Sequence, residues 1–317
     1  MNGSQDSLLV RPLAPSLFEA FLRLSREVDP GASLTDRGLN ALLYRQLPGI
    51  VSGGLVVQAG QELLGGCLFE SAGVDLPIVR VSVFLREEAR ANPPEDQLFR
   101  ALLAELQARS IRTLQAAVDP ASWQEALYRR RHFAVTSELF EHRRHVMAPL
   151  SQKFEQSADQ ADASGYRALI GMPDAALQQE FVALLVASLR EATGEVNSAR
   201  AQVTISSWYR LAKQDRVSAY VLKADGRLVS AAALIRKEPR TLHYVTVGTA
   251  PEERNSGVNS LLRRKVHQWA ATHDVDVLSG VVASTNTPIM NIVRALNSTL
   301  LPYALHFELN LSSNAST

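Results

Sequence analysis

The stretch His243–Val266 reads HYVTVGTAPEERNSGVNSLLRRKV, and the order of its parts decides the fold. A β-rich run ends near Thr249, the chain turns through Pro251, and Arg254-Asn255-Ser256-Gly257-Val258-Asn259 opens directly into an amphipathic helix. The first turn of a helix carries unpaired N–H groups and the positive end of the helix dipole, which together favour phosphate oxygens. Gly257 lets the backbone approach a ligand closely, Ser256 and Asn259 are small enough not to obstruct it, and Arg254 adds a charge. By itself such a segment is also an ordinary strand-to-helix turn, so its surroundings matter.

Working outward, the same elements occur twice. Leu55–Phe69, LVVQAGQELLGGCLF, reads as two strands around an AGQ turn, and Tyr220–Leu234, YVLKADGRLVSAAAL, reads as the same hairpin around ADG. A β-rich run follows each, Ile78–Leu85 and Leu242–Val247, then a polar loop, an amphipathic helix (from Gln97 and from Ser260) and a buried strand (from Leu114 and from Val277). The segment near Leu127, ALYRRRHFAV, matches the region from Ile292 onward. Each half therefore reads β-α-α-β-β-β-α-β-α-β, an α/β unit with a mixed sheet. The polar residues from Ala148 to Gly165 read as a linker, which gives domains at 1–149 and 165–317 joined by 150–164. The two halves differ at the loop. Glu87–Asp96, EEARANPPED, has no glycine, carries two prolines, and places four acidic groups where the second copy offers amides.

Composition bounds the function. The 317 residues suit two domains of about 100–150 residues each, and the 46% hydrophobic and 21% charged content is that of a folded protein. With 33 basic and 32 acidic residues there is no overall field for nucleic acid or an anionic membrane, so an anionic ligand needs a local site. The runs Arg129-Arg130-Arg131, Arg143-Arg144 and Arg263-Arg264 read as solvated faces. The lone Cys67, in an apolar run, reads as a core residue, and no metal site is expected. With no leader-like N-terminus and no membrane-spanning apolar run, the sequence reads as cytoplasmic.

The loop at Arg254–Asn259, in this setting, resembles the phosphate loop Gln/Arg-x-x-Gly-x-Gly/Ala of the GNAT superfamily of acyl-CoA transferases. Arg254 and Gly257 fit, and Asn259 replaces the final small residue. Downstream, STNTPIMNIVRALNS (Ser284–Ser298) resembles a stretch of tandem, mycothiol-synthase-like GNAT proteins through Asn286 and Pro288. The resemblance implies two tandem GNAT-like domains, the first degenerate. It implies acetyl-CoA or another acyl-CoA as co-substrate, held by Val247, Thr249, Arg254, Asn255, Ser256, Gly257, Val258 and Asn259, with Asn286 hydrogen-bonding the pantetheine arm or serving only as a helix N-cap. Val293 stands where many members have the tyrosine that protonates the leaving thiolate, and Tyr128 holds that place in the first half.

The expected activity is N-acyl transfer, most simply N-acetyl transfer, to a small-molecule or peptide amine. Such a reaction needs a base for the ammonium proton and donors for the oxyanion. His243, on the strand entering the loop, is the candidate base or a strand histidine with a satisfied hydrogen bond. The backbone near Val247 or Thr249 supplies the donors, and Tyr303 is the weaker candidate for the acid. Trp208-Tyr209 either lines the acceptor pocket or belongs to the core. Two other readings stand beside this one: a non-catalytic GNAT-fold scaffold, and transfer involving a carrier-protein thioester.

Overall fold

The computed structural model describes residues 8–30, 34–44, 50–71, 77–90, 93–193 and 198–311. Met1–Ser7, on which the expected lack of a leader rests, and Ala91 and Asn92 of the acidic loop lie outside the described residues. The chain divides into two compact units, residues 1–136 with 305–317 and residues 137–304.

The first half runs β1 (Leu8–Pro12), α1 (Phe18–Val28), α2 (Asp36–Tyr44), β2 (Ser52–Ala59), β3 (Glu62–Ser71), β4 (Ile78–Leu85), α3 (Pro94–Ala108), β5 (Thr113–Val118), α4 (Trp123–Arg130) and β6 (Ala134–His145). The second runs α5 (Gln152–Ala163), β7 (Arg167–Ile170), α6 (Gln178–Thr193), α7 (Ser198–Tyr209), β8 (Arg216–Leu222), β9 (Leu228–Glu238), β10 (Thr241–Thr249), α8 (Val258–Ala270), β11 (Val277–Ala283), α9 (Thr287–Ala295) and β12 (Thr299–Asn310). Apart from α5, the two halves carry the same mixed α/β order. Both hairpins form as the turn chemistry dictates, β2 against β3 and β8 against β9, antiparallel.

Two features depart from the domain limits of 1–149, 150–164 and 165–317. Residues 150–164 contain a helix rather than a linker. Ser151 caps α5 by accepting from Phe154 N–H at 3.3 Å, and Phe154, Ala158 and Ala161 form its buried stripe. The stripe packs α5 onto α8, whose Arg264 reaches Glu155 at 3.4 Å and also Asp159. The last strand of each half also serves the other unit. In the first unit the sheet order is β1-β2-β3-β4-β5 followed by residues 305–310 of β12, antiparallel to β5. In the second it is β7-β8-β9-β10-β11 followed by residues 139–145 of β6. Phe307 and Leu309 thereby enter the core of the first unit with Leu98, Leu102 and Leu114.

Each unit has one parallel pair that stops early. In the first, β4 and β5 pair only at Ile78, Val79 and Arg80. The Arg86 N–H donates to Leu64 O on the β3 side at 3.1 Å, so the alternation of an antiparallel ladder turns the Val83 N–H away from β3, towards the gap. There it meets the phenol of Tyr128, which is fully buried with Phe133 and Phe307 at ring separations of 4.9 and 5.9 Å. Burial, with Cys67 beside it, pushes this phenol's pKa up. The gap of the first unit is closed by one side chain. Replacing Tyr128 with Phe keeps the packing and strands the Val83 amide, and should cost about 1–3 kcal/mol in denaturant unfolding; wild-type stability in that variant would show the amide satisfied elsewhere.

Candidate active site

The corresponding pair of the second unit, β10 and β11, is parallel from Thr241 and Val277 only as far as Tyr244 and Gly280. Beyond that point β10 stays on β9 while β11 stays on β6. A bulge between Tyr244 and Thr246 kinks β10 where the strands part. The Ala250 N–H donates to Val229 O at 2.9 Å, so ladder alternation directs the N–H groups of Val247 and Thr249 into the gap. Val247 occupies the register of Val83, but the position of Tyr128 is here Val293, a buried apolar residue that offers no hydroxyl. Neither amide has a protein acceptor among the described residues. On the face of β10 that carries α6, Gly248 lets the helix approach so closely that Ser188 Oγ donates to Val247 O, on the gap side of the strand, at 2.6 Å.

The loop follows at the end of β10. A single 3-10 turn, Pro251–Glu253, leads into it. Glu253 is buried and anchors the turn, accepting from the Tyr166 hydroxyl, from Lys223 Nζ at 2.9 Å and from Arg227 at 3.0 Å. The Tyr166 hydrogen bond first, and Lys223 next, hold its carboxyl below the usual range. The loop is thus tied down from beneath. The backbone N–H groups of Asn255, Ser256, Gly257, Val258, Asn259 and Ser260 donate to no acceptor among the described residues. Those of Val258, Asn259 and Ser260 are the open first turn of α8. Asn255 and Gly257 are in the left-handed region, at φ 66° and 84°.

Two expected loop residues have other duties. Arg254 forms a two-pronged pair with Glu191 of α6 at 2.9 and 2.7 Å, so its charge is already matched. Gly257 faces α5: a Cβ there would lie under 3.0 Å from the Ser157 carbonyl oxygen, so the residue is required by helix packing as well as by φ. Asn259 turns inward, donating to Thr249 Oγ1 at 3.3 Å and accepting from Arg263 Nε at 2.9 Å. What remains for an anion is the row of amides and the helix dipole.

His243 lies on the face of β10 opposite the one packed on α8, since its neighbours Leu242 and Tyr244 belong to the α8 core. Its Nδ1 is 2.9 Å from Ser279 Oγ. Burial first, then Lys237 and Arg143, lowers its pKa from the ordinary 6.5, partly offset by Glu141. The imidazole is therefore neutral at pH 7. His243 and the loop sit on opposite faces of the sheet, and the gap between β10 and β11 is what connects those faces.

The other expected positions divide. Asn286 caps α9, its Oδ1 accepting from Ile289 N–H at 3.3 Å. Tyr303 is exposed on β12, and no hydrogen bond joins it to His243 or the loop among the described residues. Trp208 is core, donating to Leu234 O at 2.8 Å and packing on Phe181, as is Cys67, whose thiol burial pushes up to about 12. The arginine pairs are not simply solvated: Arg144 and Arg263 are buried, and Arg130 and Arg131 hold the buried Glu95 at 2.9 and 2.7 Å in the first turn of α3. That carboxylate sits at the helix N-terminus of the first unit, where the second unit leaves its amides open. Sequence reasoning missed Ser279, Ser188 and Glu191, whose partners lie far away in the chain and leave no local pattern.

The second copy of the repeated α/β unit thus has a splayed parallel pair with an amide-lined helix start beside it. Residues 152–284 match the family model of the acetyltransferase (GNAT) domain. No curated protein matches the chain. Among solved structures, a tandem GNAT protein from the clavulanic acid biosynthesis pathway is 16% identical with a TM-score of 0.59, covering 96% of this chain and 99% of its own. A GCN5-related N-acetyltransferase from Sphaerobacter thermophilus is 12% identical with a TM-score of 0.60, at 96% of both chains. A probable N-acyltransferase from Enterococcus faecalis V583 is 11% identical with a TM-score of 0.65, at 96% of this chain and 72% of its own. Residues 152–284 are thus similar to a GNAT acetyltransferase domain, and the chain as a whole has the fold of the tandem GNAT structures. No helix among the described residues is long and apolar enough to cross a membrane.

Proposed function

We propose that the second unit transfers an acyl group from acyl-CoA to an amine, and that the first unit has lost this capacity. The observation that carries the reading is the early end of the β10–β11 pairing, which leaves the Val247 and Thr249 amides without acceptors among the described residues, beside the open amides of Asn255–Ser260. These residues fit a diphosphate: six N–H groups at a helix start offer donors and positive potential, and Glu253 holds them in place. Acyl-CoA supplies an activated thioester. The N–H group of Val247 or of Thr249 stabilises the charge that develops on its carbonyl oxygen. His243 accepts the ammonium proton of the acceptor through Nε2 when Nδ1 donates to Ser279 Oγ. A C–N bond then forms as the C–S bond breaks, and the thiolate takes its proton from water. Asn286 keeps Nδ2 available for the pantetheine arm, and the acceptor enters from the α6–α7 face.

Acetyl-CoA titration calorimetry on Asn255→Asp tests the cofactor half. Aspartate keeps the shape and tolerates the left-handed backbone, so the fold should stand, while one negative charge beside the diphosphate should weaken binding about tenfold. Unchanged affinity would remove the loop from the site. Arg254 being matched by Glu191, and Gly257 being committed to α5, favour a second reading, a scaffold that keeps the fold without turnover. Product formation across an amine panel separates the two.

A further inference from the structure

The α8 face of the second unit bears a small, partly open cavity that the transfer chemistry does not use. It is lined by His142 and Arg144 of β6, Tyr244, Arg263 and His267 of α8, and Ser298, and its volume of about 10 Å³ suits one water-sized particle. Four polar atoms on this lining are buried and without a protein partner: His142 Nδ1, Arg144 NH1, Arg263 NH1 and Ser298 Oγ. Arg144 and Arg263 are each only 3% exposed.

The remaining bonds of the two guanidiniums go to neutral groups. Arg144 donates to His267 Nε2 at 2.9 Å and to the carbonyls of Ala148 and Pro149 at 2.6 and 2.7 Å. Arg263 donates to Asn259 Oδ1 at 2.9 Å and stacks over the Tyr244 ring at 4.7 Å. Neither forms an ion pair among the described residues. Glu141 points to the opposite face of β6 and pairs with Arg143 at 3.0 Å, and the acidic groups of α5 are taken by Arg264. Two buried positive charges with no counter-charge cost several kcal/mol, because water returns hydrogen bonds but not charge. The two imidazoles report the same field: burial first, then Arg263, lowers His142 to about 3, and burial first, then Arg144, lowers His267 to about 4. Both rings stay neutral and leave the site net positive.

We infer that this cavity is a binding site for a single small monovalent anion of halide size, held by Arg144 NH1, Arg263 NH1 and Ser298 Oγ. The volume is too small for phosphate or a carboxylate, and the donors come from three separate elements that line the one cavity. The site is a structural counter-ion for the α8 core, and Asn259 links it through Arg263 to the end of β10.

Crystals of the full chain soaked in sodium bromide should show an anomalous peak in the cavity, and crystals of Arg263→Gln should not. In solution, the wild-type melting temperature should rise by about 3–5 °C for each tenfold rise in chloride beyond saturation, with ionic strength held by gluconate, which is too large to enter. Bromide absent from the wild-type cavity, bromide persisting in Arg263→Gln, or melting indifferent to chloride would each overturn the assignment. The wild-type measurements stand even if the variant does not fold.

Discussion

Gly257→Ala should lower the stability of the ligand-free protein by about 3 kcal/mol. Two costs combine. An L-residue at φ 84° pays roughly 1–2 kcal/mol for the left-handed backbone, and the new methyl meets the backbone of Ser157 on α5, which retreats only by disturbing the Phe154, Ala158 and Ala161 stripe. For a unit of this size the melting temperature should fall by about 6–12 °C. The same glycine is where a ligand-binding reading of the loop puts its weight, so the outcome discriminates. If Gly257 serves only close approach of a diphosphate, Gly257→Ala loses no more than the left-handed backbone cost of about 1–2 kcal/mol, together with acetyl-CoA binding. If the packing argument holds, the loss reaches about 3 kcal/mol before any ligand is added, and a charged substitution at this position cannot serve as a clean test of CoA binding. Asn255→Asp, at an exposed residue of the same loop, is the cleaner probe.

The double function of Gly257 shows what was legible in the sequence and what was not. Strand and helix periodicity, the AGQ and ADG turns and the order of elements are local signals, and they give the repeated α/β unit and the position of the loop. Partner choice is not local. The pattern of β12 reads as a half-buried strand whichever sheet receives it, and only the coordinates show Phe307 in the core with Tyr128. The helix α5 escaped because its apolar stripe consists of one phenylalanine and two alanines in a run of Ser, Asp and Gln. Small residues are what let α5 approach Gly257, and they are also what makes a helix look like a linker. At Arg143-Arg144 and Arg263-Arg264, adjacent arginines fall on different faces of a strand and of a helix, so one of each pair is exposed or ion-paired and the other buried. A pair read as a unit conceals that split. For the site, the amide row was legible from the strand-turn-helix order, whereas the Tyr128 plug was not, because it depends on a phenol meeting the Val83 amide across the fold.

His243→Ala should reduce acyl transfer by about 10²–10³ while leaving acetyl-CoA affinity within about threefold of wild type. The split follows from geometry, since the imidazole lies on the face of β10 opposite α8 and the loop amides do not depend on it. The pH profile adds a second reading of the same group. Burial, with Lys237 and Arg143, favours the neutral ring, so protonation sets in below the ordinary 6.5 as pH falls. The base therefore stays available at neutral pH, and the acid limb of kcat/KM for wild type should lie below pH 6.5. In His243→Ala that limb should disappear from the residual rate. Ser279→Ala removes the hydroxyl at Nδ1 and so the group that fixes the ring. It should lower kcat by about tenfold and leave KM for acyl-CoA nearly unchanged, the signature of a positioning residue. An acid limb at or above pH 6.5, or full turnover in His243→Ala, would assign proton removal to another group, and the open gap between β10 and β11 would then have to be reached by a base from the α6–α7 side.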